Sequence, residues 1–583
     1  MRRSLLLAAL CTIVLFSQTP LEKKSPALLE AFSKKSSTDP VLVWVFFKDK
    51  AVGLNKTAEI ASQSVTSRSM ERRRKVLPAD KLFDQTDLPV SRVYLDKIEA
   101  AGFTIRQVSK WFNGASVWVT KNDLSKIVAL DCVSNVDLVT RMPKESILPA
   151  SKPLISPVSS EHINKTTALD YGSSLTQMSL IKVPDVHALG YSGAGVIIAV
   201  LDAGFNNLKH EAFANMNIIA THDFVNHITS VNDSTGRMGT GTHGTATLSL
   251  IGGYKPGKLI GPAYSAKFIL AKTENTDSET PVEEDNWIAG IEWADSLGVD
   301  VSSTSLGYLA YDSPYIGYTW QNMDGRTARI SVAATMAARK GIFVVNAAGN
   351  EGSDPNHNTL GAPADADSIL TVGAVDYTGT RASFSSVGNT VDGRTKPDVA
   401  AMGVSDFVAG PGSTSYYYYG DGTSFSTPLT AGAAAVILGA NPKLTPIQLR
   451  DILRNTASNA ASPNRLLGWG IINALKAFQT TDTETNNKNI KSFSLYQNYP
   501  NPFNPATLIK YDLVQDSKVE ISVYAITGAK VSTLVSGLQS KGEHFTSFDG
   551  RDFASGVYMY QMSVYDAAGN VLTNEYRKMM LLK

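Results

Sequence analysis

Between residues 195 and 376 the chain repeats one pattern. Short runs with few polar positions recur: "GVIIAVLDAG" (195–204), "AKFILAKTE" (266–274), "GVDVSSTSLG" (298–307), "GIFVVNAAGN" (341–350) and "SILTVGAVD" (368–376). Strands that are apolar throughout, rather than at alternate positions, are covered on both faces. Between them, "NWIAGIEWADSLG" (286–298) and "ARISVAATMAARKG" (328–341) carry apolar residues at helical spacing. This alternation predicts an α/β fold, a parallel sheet between two layers of helices. In such a sheet the working residues gather at the C-terminal ends of the strands.

The pattern differs on either side. From 40 to 140, "VLVWVFFKD" (41–49) and "ASVWVTK" (115–121) read as strands, and "RVYLDKIEAAG" (92–102) and "NDLSKIVAL" (122–130) as helices, a small α/β unit. The run "ERRRK" (71–75) predicts a solvated helix face. Residues 143–170 are rich in Pro, Ser, Thr and Lys and read as a linker, as does "TTDTETNNKNIK" (480–491). Beyond it, "KVEISVYAI" (518–526) and "GVYMYQMSVYD" (556–566) alternate and are broken by Gly and Asn-Pro turns, a small antiparallel β-sandwich pattern.

Composition adds limits. A chain of 583 residues exceeds one core, so several folding units are expected. With 54 basic and 53 acidic residues, nothing in the charge balance points to nucleic acid or an acidic lipid surface. The start, "MRRSLLLAALCTIVLFSQTP", has two arginines before an apolar run and then small and polar residues, the layout of a secretory signal peptide. That run is shorter than the ~20 residues a spanning helix needs, and no membrane anchor is expected later. Cys11 lies in this leader, so Cys132 is the only cysteine after export. Without a possible internal disulfide, the exported protein must rest on its packed core, bound ions or both.

Three polar residues stand where an apolar core would not want them. Asp202 ends "VIIAVLDAG", His243 sits in "GTGTHGTATLSL", and Ser424 sits in "GDGTSFSTP". Singly, each reads as a turn, a structural histidine or a cap. Together they supply a nucleophile, a base for its proton and an acid to orient the base. Their order is Asp-His-Ser, 41 and then 181 positions apart. The G-x-S-x-G elbow of the α/β-hydrolases is absent around Ser424, which argues against an esterase.

Residues 190–475 resemble the subtilisin family of serine peptidases (subtilases). "AVLDAG" (199–204) resembles its aspartate motif, "GTHGTATLSLIGG" (241–253) its histidine motif and "GTSFSTPLTAGAAA" (422–435) its serine motif. "NAAGNEG" (346–352) resembles the stretch that supplies an oxyanion-hole asparagine; "STSLG" (303–307) and "KPDVAAMG" (396–403) also match, the latter with Met402 for the usual proline. The resemblance implies a three-layer subtilisin-like fold and an endopeptidase acting through an acyl-enzyme. It makes Asp202 the orienting acid, His243 the general base, Ser424 the nucleophile and Asn350 the oxyanion donor. A helix starting near Ser426 is expected to aim its amides at the serine, with Pro428 in its first turn at no cost in hydrogen bonds.

The resemblance further implies that Ser305, Leu306 and Gly307 form one wall of the primary specificity pocket and Ala347, Ala348 and Gly349 another. These walls are small and apolar, so a broad preference for apolar side chains is expected. The insertion 308–328 either roofs the cleft or is a surface hairpin, and Tyr416–Tyr419 are expected to pack. The chemistry requires no cofactor. Calcium is common in the family and would suit an exported protein without disulfides, but no acidic run here has ligand spacing.

Residues 40–143 resemble the family's inhibitory propeptide. "YQNYPNPFNPATLIKYDL" (496–513), "VYAITGAKV" (523–531) and "SGVYMYQM" (555–562) resemble the type A sorting domain of type IX secretion. The expected division is signal peptide 1–18, propeptide-like domain 19–143, linker 144–171, peptidase domain 172–478, linker 479–491 and sorting domain 492–583. The expected partners are protein or peptide substrates, the chain's own propeptide and the type IX secretion machinery. The expected place is outside a two-membrane bacterium, or on its surface, reached through the periplasm. The rival reading is a catalytically inactive, subtilase-like surface binding protein.

Overall fold

The computed structural model of the chain describes residues 23–139, 169–312, 315, 317–486 and 492–582, apart from 34–35, 52–56, 233–240, 499–500, 540–541 and 567–568. The signal peptide and nearly all of the first linker fall outside them. The chain divides into two compact units, one ending at Thr480 and one beginning at Thr481.

The first unit opens with a four-stranded antiparallel sheet. Its strands are β1 (Val41–Phe47), β2 (Ile105–Ser109), β3 (Gly114–Val119) and β4 (Val133–Leu138), in the order β2-β3-β1-β4. Its helices include α1 (Ser67–Arg74), α2 (Arg92–Ala100) and α3 (Leu124–Val128). Val43, Val45, Val117, Ile98, Ile127 and Cys132 meet in its own small core.

The second part is a seven-stranded parallel sheet. Its strands are β5 (Ile197–Asp202), β6 (Asn217–Asp223), β7 (Lys267–Lys272), β8 (Val301–Thr304), β9 (Phe343–Ala347), β10 (Leu370–Val375) and β11 (Val399–Met402), ordered β11-β10-β9-β8-β5-β7-β6. The five continuous apolar runs are five of these strands. The other two gave weaker signals: β6 is a half-exposed edge strand and β11 is only four residues long.

The helices that cover the sheet include α4 (His243–Gly252), α5 (Val282–Leu297), α6 (Arg329–Arg339) and α7 (Thr423–Ala440). Successive residues of β5 point to opposite faces, as the pleat requires. Ile198 and Val200 join the core under α4 and α7; Ile197, Ala199 and Leu201 join the core under α5 and α6. Among the described residues, α7 is the one helix long and apolar enough to cross a membrane, and it lies buried in the first of these cores.

The small antiparallel sheet docks on the outer faces of α5 and α6. Trp44 donates its indole N–H to Asp285 at 2.7 Å. The loop after β2 wraps the carboxylate of Glu292, which accepts from the hydroxyl of Ser109 and the amides of Lys110 (3.0 Å) and Trp111 (3.2 Å). Arg329 lies over the ring of Phe46 and pairs with Asp137 at 3.1 Å. The expectation of a solvated "ERRRK" face fails here. Arg72 and Arg73 are 2% and 0% exposed and paired with Asp295. Arg72 and Arg73 face inward because α1 is pressed against another part of the chain, while Glu71 and Arg74 stay exposed.

The insertion 308–328 is not a surface hairpin. Tyr308, Tyr311 and Tyr318 are buried in the core shared with α5 and α6. The Tyr308 hydroxyl donates to Glu274, just after β7, and those of Tyr311 and Tyr318 to Glu284, in the first turn of α5. Two of the four tyrosines pack as expected: Tyr417 and Tyr418 lie against the core, Tyr417 stacking on Phe407 at 5.1 Å, whereas Tyr416 and Tyr419 are 51% and 41% exposed. Tyr417–Gly420 pairs with Asp406–Ala409 as a two-stranded ribbon.

In the second unit two antiparallel sheets form a sandwich. One holds Ser494–Leu495, Ala506–Leu513 and Gly542–Asp549; the other holds Ser517–Ala525, Lys530–Gln539, Gly556–Tyr565 and Val571–Leu581. Ile509, Tyr511, Ile521, Val523, Tyr560 and Met562 fill the space between them.

Helix α7 reaches close to the sheet because its inner positions are Ala and Gly, and Ala431, Ala433, Ala434 and Ala435 are fully buried. Added volume has nowhere to go. In a Ser424→Ala background, Ala433→Leu is expected to lower stability by about 1–3 kcal/mol, read as a drop in the denaturation midpoint.

Candidate functional site

Asp202 is the last residue of β5, His243 the first of α4 and Ser424 the second of α7. Parallel strands end on one edge of the sheet, and the helices that follow begin there. The first two side chains are in direct contact: His243 Nδ1 lies 2.6 Å from Asp202 Oδ1.

Asp202 is fully buried, so each oxygen needs donors. Oδ1 accepts from the amide of Ala203 at 2.7 Å as well as from His243. Oδ2 accepts from the hydroxyl of Thr247 at 2.9 Å. Sequence reading missed Thr247. The signal was its spacing, since a residue four positions after His243 shares its helix face. Gly241 lets the histidine loop lie against the turn after Asp202: a Cβ there would stand 1.6 Å from the carbonyl oxygen of Ala203.

The His243 side chain is 36% exposed. Burial pushes its pKa down, but the charge of Asp202 and the hydrogen bond to it outweigh that and raise it above the ordinary 6.5. With Nδ1–H directed at the carboxylate, the neutral ring keeps its lone pair on Nε2. The Phe425 ring lies beside the imidazole, 6.3 Å between centroids.

The serine turn differs from expectation. Helix α7 begins at Thr423, not near Ser426, so Ser424 lies inside its first turn. Pro428 is therefore inside the helix, where it does cost a hydrogen bond. The N–H it lacks is the one that would reach the carbonyl of Ser424, four residues back. Ser305 fills the gap: its hydroxyl donates to Ser424 O at 2.8 Å. The Ser424 hydroxyl in turn donates to the carbonyl of Ser305 at 3.2 Å. Gly422, the residue before the helix, has φ 146°, a value glycine tolerates.

Asn350 is exposed, in the loop after β9. Its side-chain oxygen accepts from the amide and the hydroxyl of Thr423, both at 3.0 Å. These two donors fix which way the amide faces. Its NH₂ finds no acceptor among the described residues and sits one residue from Ser424.

Of the six residues expected to wall the specificity pocket, Ser305, Leu306 and Gly307 follow β8, Ala347 ends β9, and Ala348 and Gly349 follow it; the two strands are neighbours. Gly307 is exposed, whereas Ala347 and Ala348 are 4% and 0% exposed. Asn346, also missed in the sequence, ties the two segments: its NH₂ donates to Leu306 O at 3.2 Å and Ala347 O at 2.8 Å. Among the described residues no group of three or more His, Cys, Asp or Glu is placed to hold a metal ion.

Comparison with known proteins gives three family matches. Residues 193–470 match the subtilase family, residues 42–152 the peptidase S8 propeptide domain of Bacteroidota, and residues 497–575 the secretion system C-terminal sorting domain. Subtilisin NAT of Bacillus subtilis subsp. natto is 36% identical over 331 residues, 56% of this chain and 76% of that protein. Subtilisin of Bacillus pumilus is 36% identical over 303 residues, 52% of this chain and 98% of that protein. Subtilisin BL of Lederbergia lenta is 32% identical over 297 residues, 51% of this chain and 96% of that protein.

The carbonyl of Ser424 ties Ser305 to Pro428. Ser305→Ala leaves that carbonyl without its donor and is expected to cost about 1–3 kcal/mol. Pro428→Ala returns a backbone N–H to the same carbonyl. In that background Ser305→Ala should cost measurably less. Equal costs in both backgrounds, in a denaturation double-mutant cycle, would mean the two residues are not coupled through Ser424.

Proposed function

Because the chain belongs to the subtilase family of serine endopeptidases, we propose that Asp202, His243 and Ser424 are its catalytic triad and Asn350 its oxyanion donor. The observation that carries this reading is the buried Asp202 carboxylate, held by three donors, one of them the imidazole of His243.

The reaction follows from that geometry. A peptide lies extended along a free main-chain edge, its scissile carbonyl over Ser424. The Ser424 hydroxyl turns from the Ser305 carbonyl to Nε2 of His243. The imidazole takes the proton as the oxygen attacks, and Asp202 stabilises the imidazolium. The carbonyl oxygen becomes an anion beside the Asn350 NH₂ and the amide of Ser424 in the first turn of α7, whose dipole favours negative charge. His243 gives its proton to the departing amine, leaving an acyl-enzyme. Water, deprotonated by His243, then releases the acid. The small segments 305–307 and 347–349 suit apolar side chains on the acyl side.

The chain is a secreted zymogen: a propeptide precedes the peptidase domain and a secretion sorting domain follows it. The sorting domain indicates delivery to the surface or the exterior of a Bacteroidota cell. Passage through the periplasm under the type IX machinery is part of the proposal. A bound calcium ion would stabilise an exported chain that has no internal disulfide.

A fluorophosphonate probe should label the processed protein at Ser424 alone; absence of labelling in folded, processed protein would sink the peptidase reading. The Ser424→Ala chain should accumulate at about precursor size if cleavage is self-catalysed. Asn350→Ala should cut kcat by about 10²–10³ with little change in KM. If Asn350 were only a turn residue, kcat of the titrated active fraction would stay near wild type.

His243 must be neutral to accept a proton. Asp202 raises its pKa above 6.5. Activity should therefore rise with pH through that raised value and be lost below it. Asp202→Asn should move the acid limb to lower pH and cut kcat by about 10⁴. An unmoved limb in kcat/KM would show that another group titrates.

A further inference from the structure

Helix α1 of the propeptide runs against the C-terminal ends of α5 and α6. Helix ends carry carbonyls without intrahelical donors and the negative pole of the dipole. Here arginines meet them. Arg72 donates from Nε to Lys340 O at 3.1 Å, from Nη1 to Val299 O at 2.7 Å, and from Nη2 to Asp295 O at 3.3 Å and to the Asp295 carboxylate. Arg68 donates from Nε to Gly298 O at 3.2 Å, and the amide of Thr66 to Ser296 O at 2.9 Å. Arg73 reaches the other Asp295 oxygen at 2.5 Å and Asp87 at 2.8 Å, and Asp87 also accepts from Lys340 at 2.7 Å. Burial alone would raise the Asp87 carboxyl; Arg73 and Lys340 outweigh it and hold it below its ordinary value.

The seat is shaped for this occupant. A Cβ on Gly298 would stand 2.7 Å from the amide nitrogen of Ser69, and one on Gly341 3.1 Å from Cγ of Arg72. The peptidase body offers only acceptors to Arg72: one carboxylate and three carbonyls converging on one plane-forming group. A guanidinium has five N–H donors in a fixed fork; an ammonium has three at a point. Val299 and Lys340 precede β8 and β9, whereas Ser305 and Asn350 follow them. The seat and the catalytic site thus stand at opposite ends of the same two strands, about 13–17 Å of extended chain apart.

We propose that the C-terminal ends of α5 and α6, with Asp295, form a guanidinium-binding site on the peptidase body that persists after maturation. In the precursor it holds Arg72. In the processed enzyme it takes a helix-borne arginine, that of a released propeptide from the same or a second copy. Removing the propeptide takes both guanidinium partners from the Asp295 carboxylate and the Arg72 donors from the carbonyls of Val299 and Lys340, while the Asp295 carbonyl keeps the amide of Gly298 at 3.2 Å. One guanidinium fork reaches the carboxylate and both carbonyls together. The proposal rests on residues 42–152 being a propeptide that leaves.

Two measurements test it, and neither needs Ser424 to be catalytic. In the full Ser424→Ala chain, Arg72→Lys should lower hydrogen-exchange protection of residues 67–82 by about 10²-fold, with β1 and β3 unchanged. Protection equal to the parent would overturn guanidinium specificity. In the processed enzyme, its propeptide loss confirmed by mass, guanidinium chloride well below denaturing concentration should raise the unfolding midpoint relative to tetramethylammonium chloride at equal ionic strength. Asp295→Ala should abolish the difference. Equal responses to the two cations in the wild-type enzyme would overturn a persisting site, and a difference that survives Asp295→Ala would overturn its placement.

Discussion

A parallel sheet must be covered on both faces, and its connecting helices must run back against the strands. That requirement arranges the whole first unit. It sends every strand's C-terminal end to one edge and every covering helix's C-terminal end to the other. Asp202, Ser305 and Asn350 therefore share an edge with the first turns of α4 and α7, which bring His243 and Ser424. The opposite edge collects the carbonyl-rich ends of α5 and α6, which attract the arginines of α1. The Asp202 edge and the arginine contact are separated by the length of a strand because one end of each βα unit is positive and the other negative.

The sheet was legible where burial is two-sided. Residues of β5 and β10 are buried without exception, and such runs have no other reading at that length. Edge strand β6 mixes exposed and buried positions and lost the signal. Asp202 could be read because a carboxylate at the end of an apolar strand is costly without a purpose, and His243 and Ser424 through the motifs around them, although both lie in first turns of helices and not at strand ends. Their supports could not. Thr247 and Asn346 are ordinary polar residues whose meaning lies in what they face, Asp202 Oδ2 in one case and two carbonyls in the other.

Charge patterning misled for a related reason. "ERRRK" looks like a helix face meant for water, because local sequence reports only its own charge. The acceptors for Arg72 come from residues 295, 299 and 340, more than two hundred positions away. Once those carbonyls are supplied, the run is a buried contact of the kind in which arginine is preferred over lysine. The start of α7 was misjudged by a subtler version of the same problem. A proline shortly after a serine suggests a first helical turn, and only the Ser305 hydroxyl shows that the helix began earlier and lost a bond.

That lost bond bears on how portable the serine motif is. A helix containing Pro428 can form early from local contacts, yet the carbonyl of Ser424 has no donor in its own segment. The donor arrives on residue 305, 119 positions upstream, only when β8 has taken its place in the sheet. The turn that carries Ser424 is thus completed by tertiary assembly and not by its own sequence. Transplanting residues 420–432 to another scaffold would carry the serine but leave its backbone unfinished. The stretch is an element of a sheet edge, and it has no independent existence as a catalytic cassette.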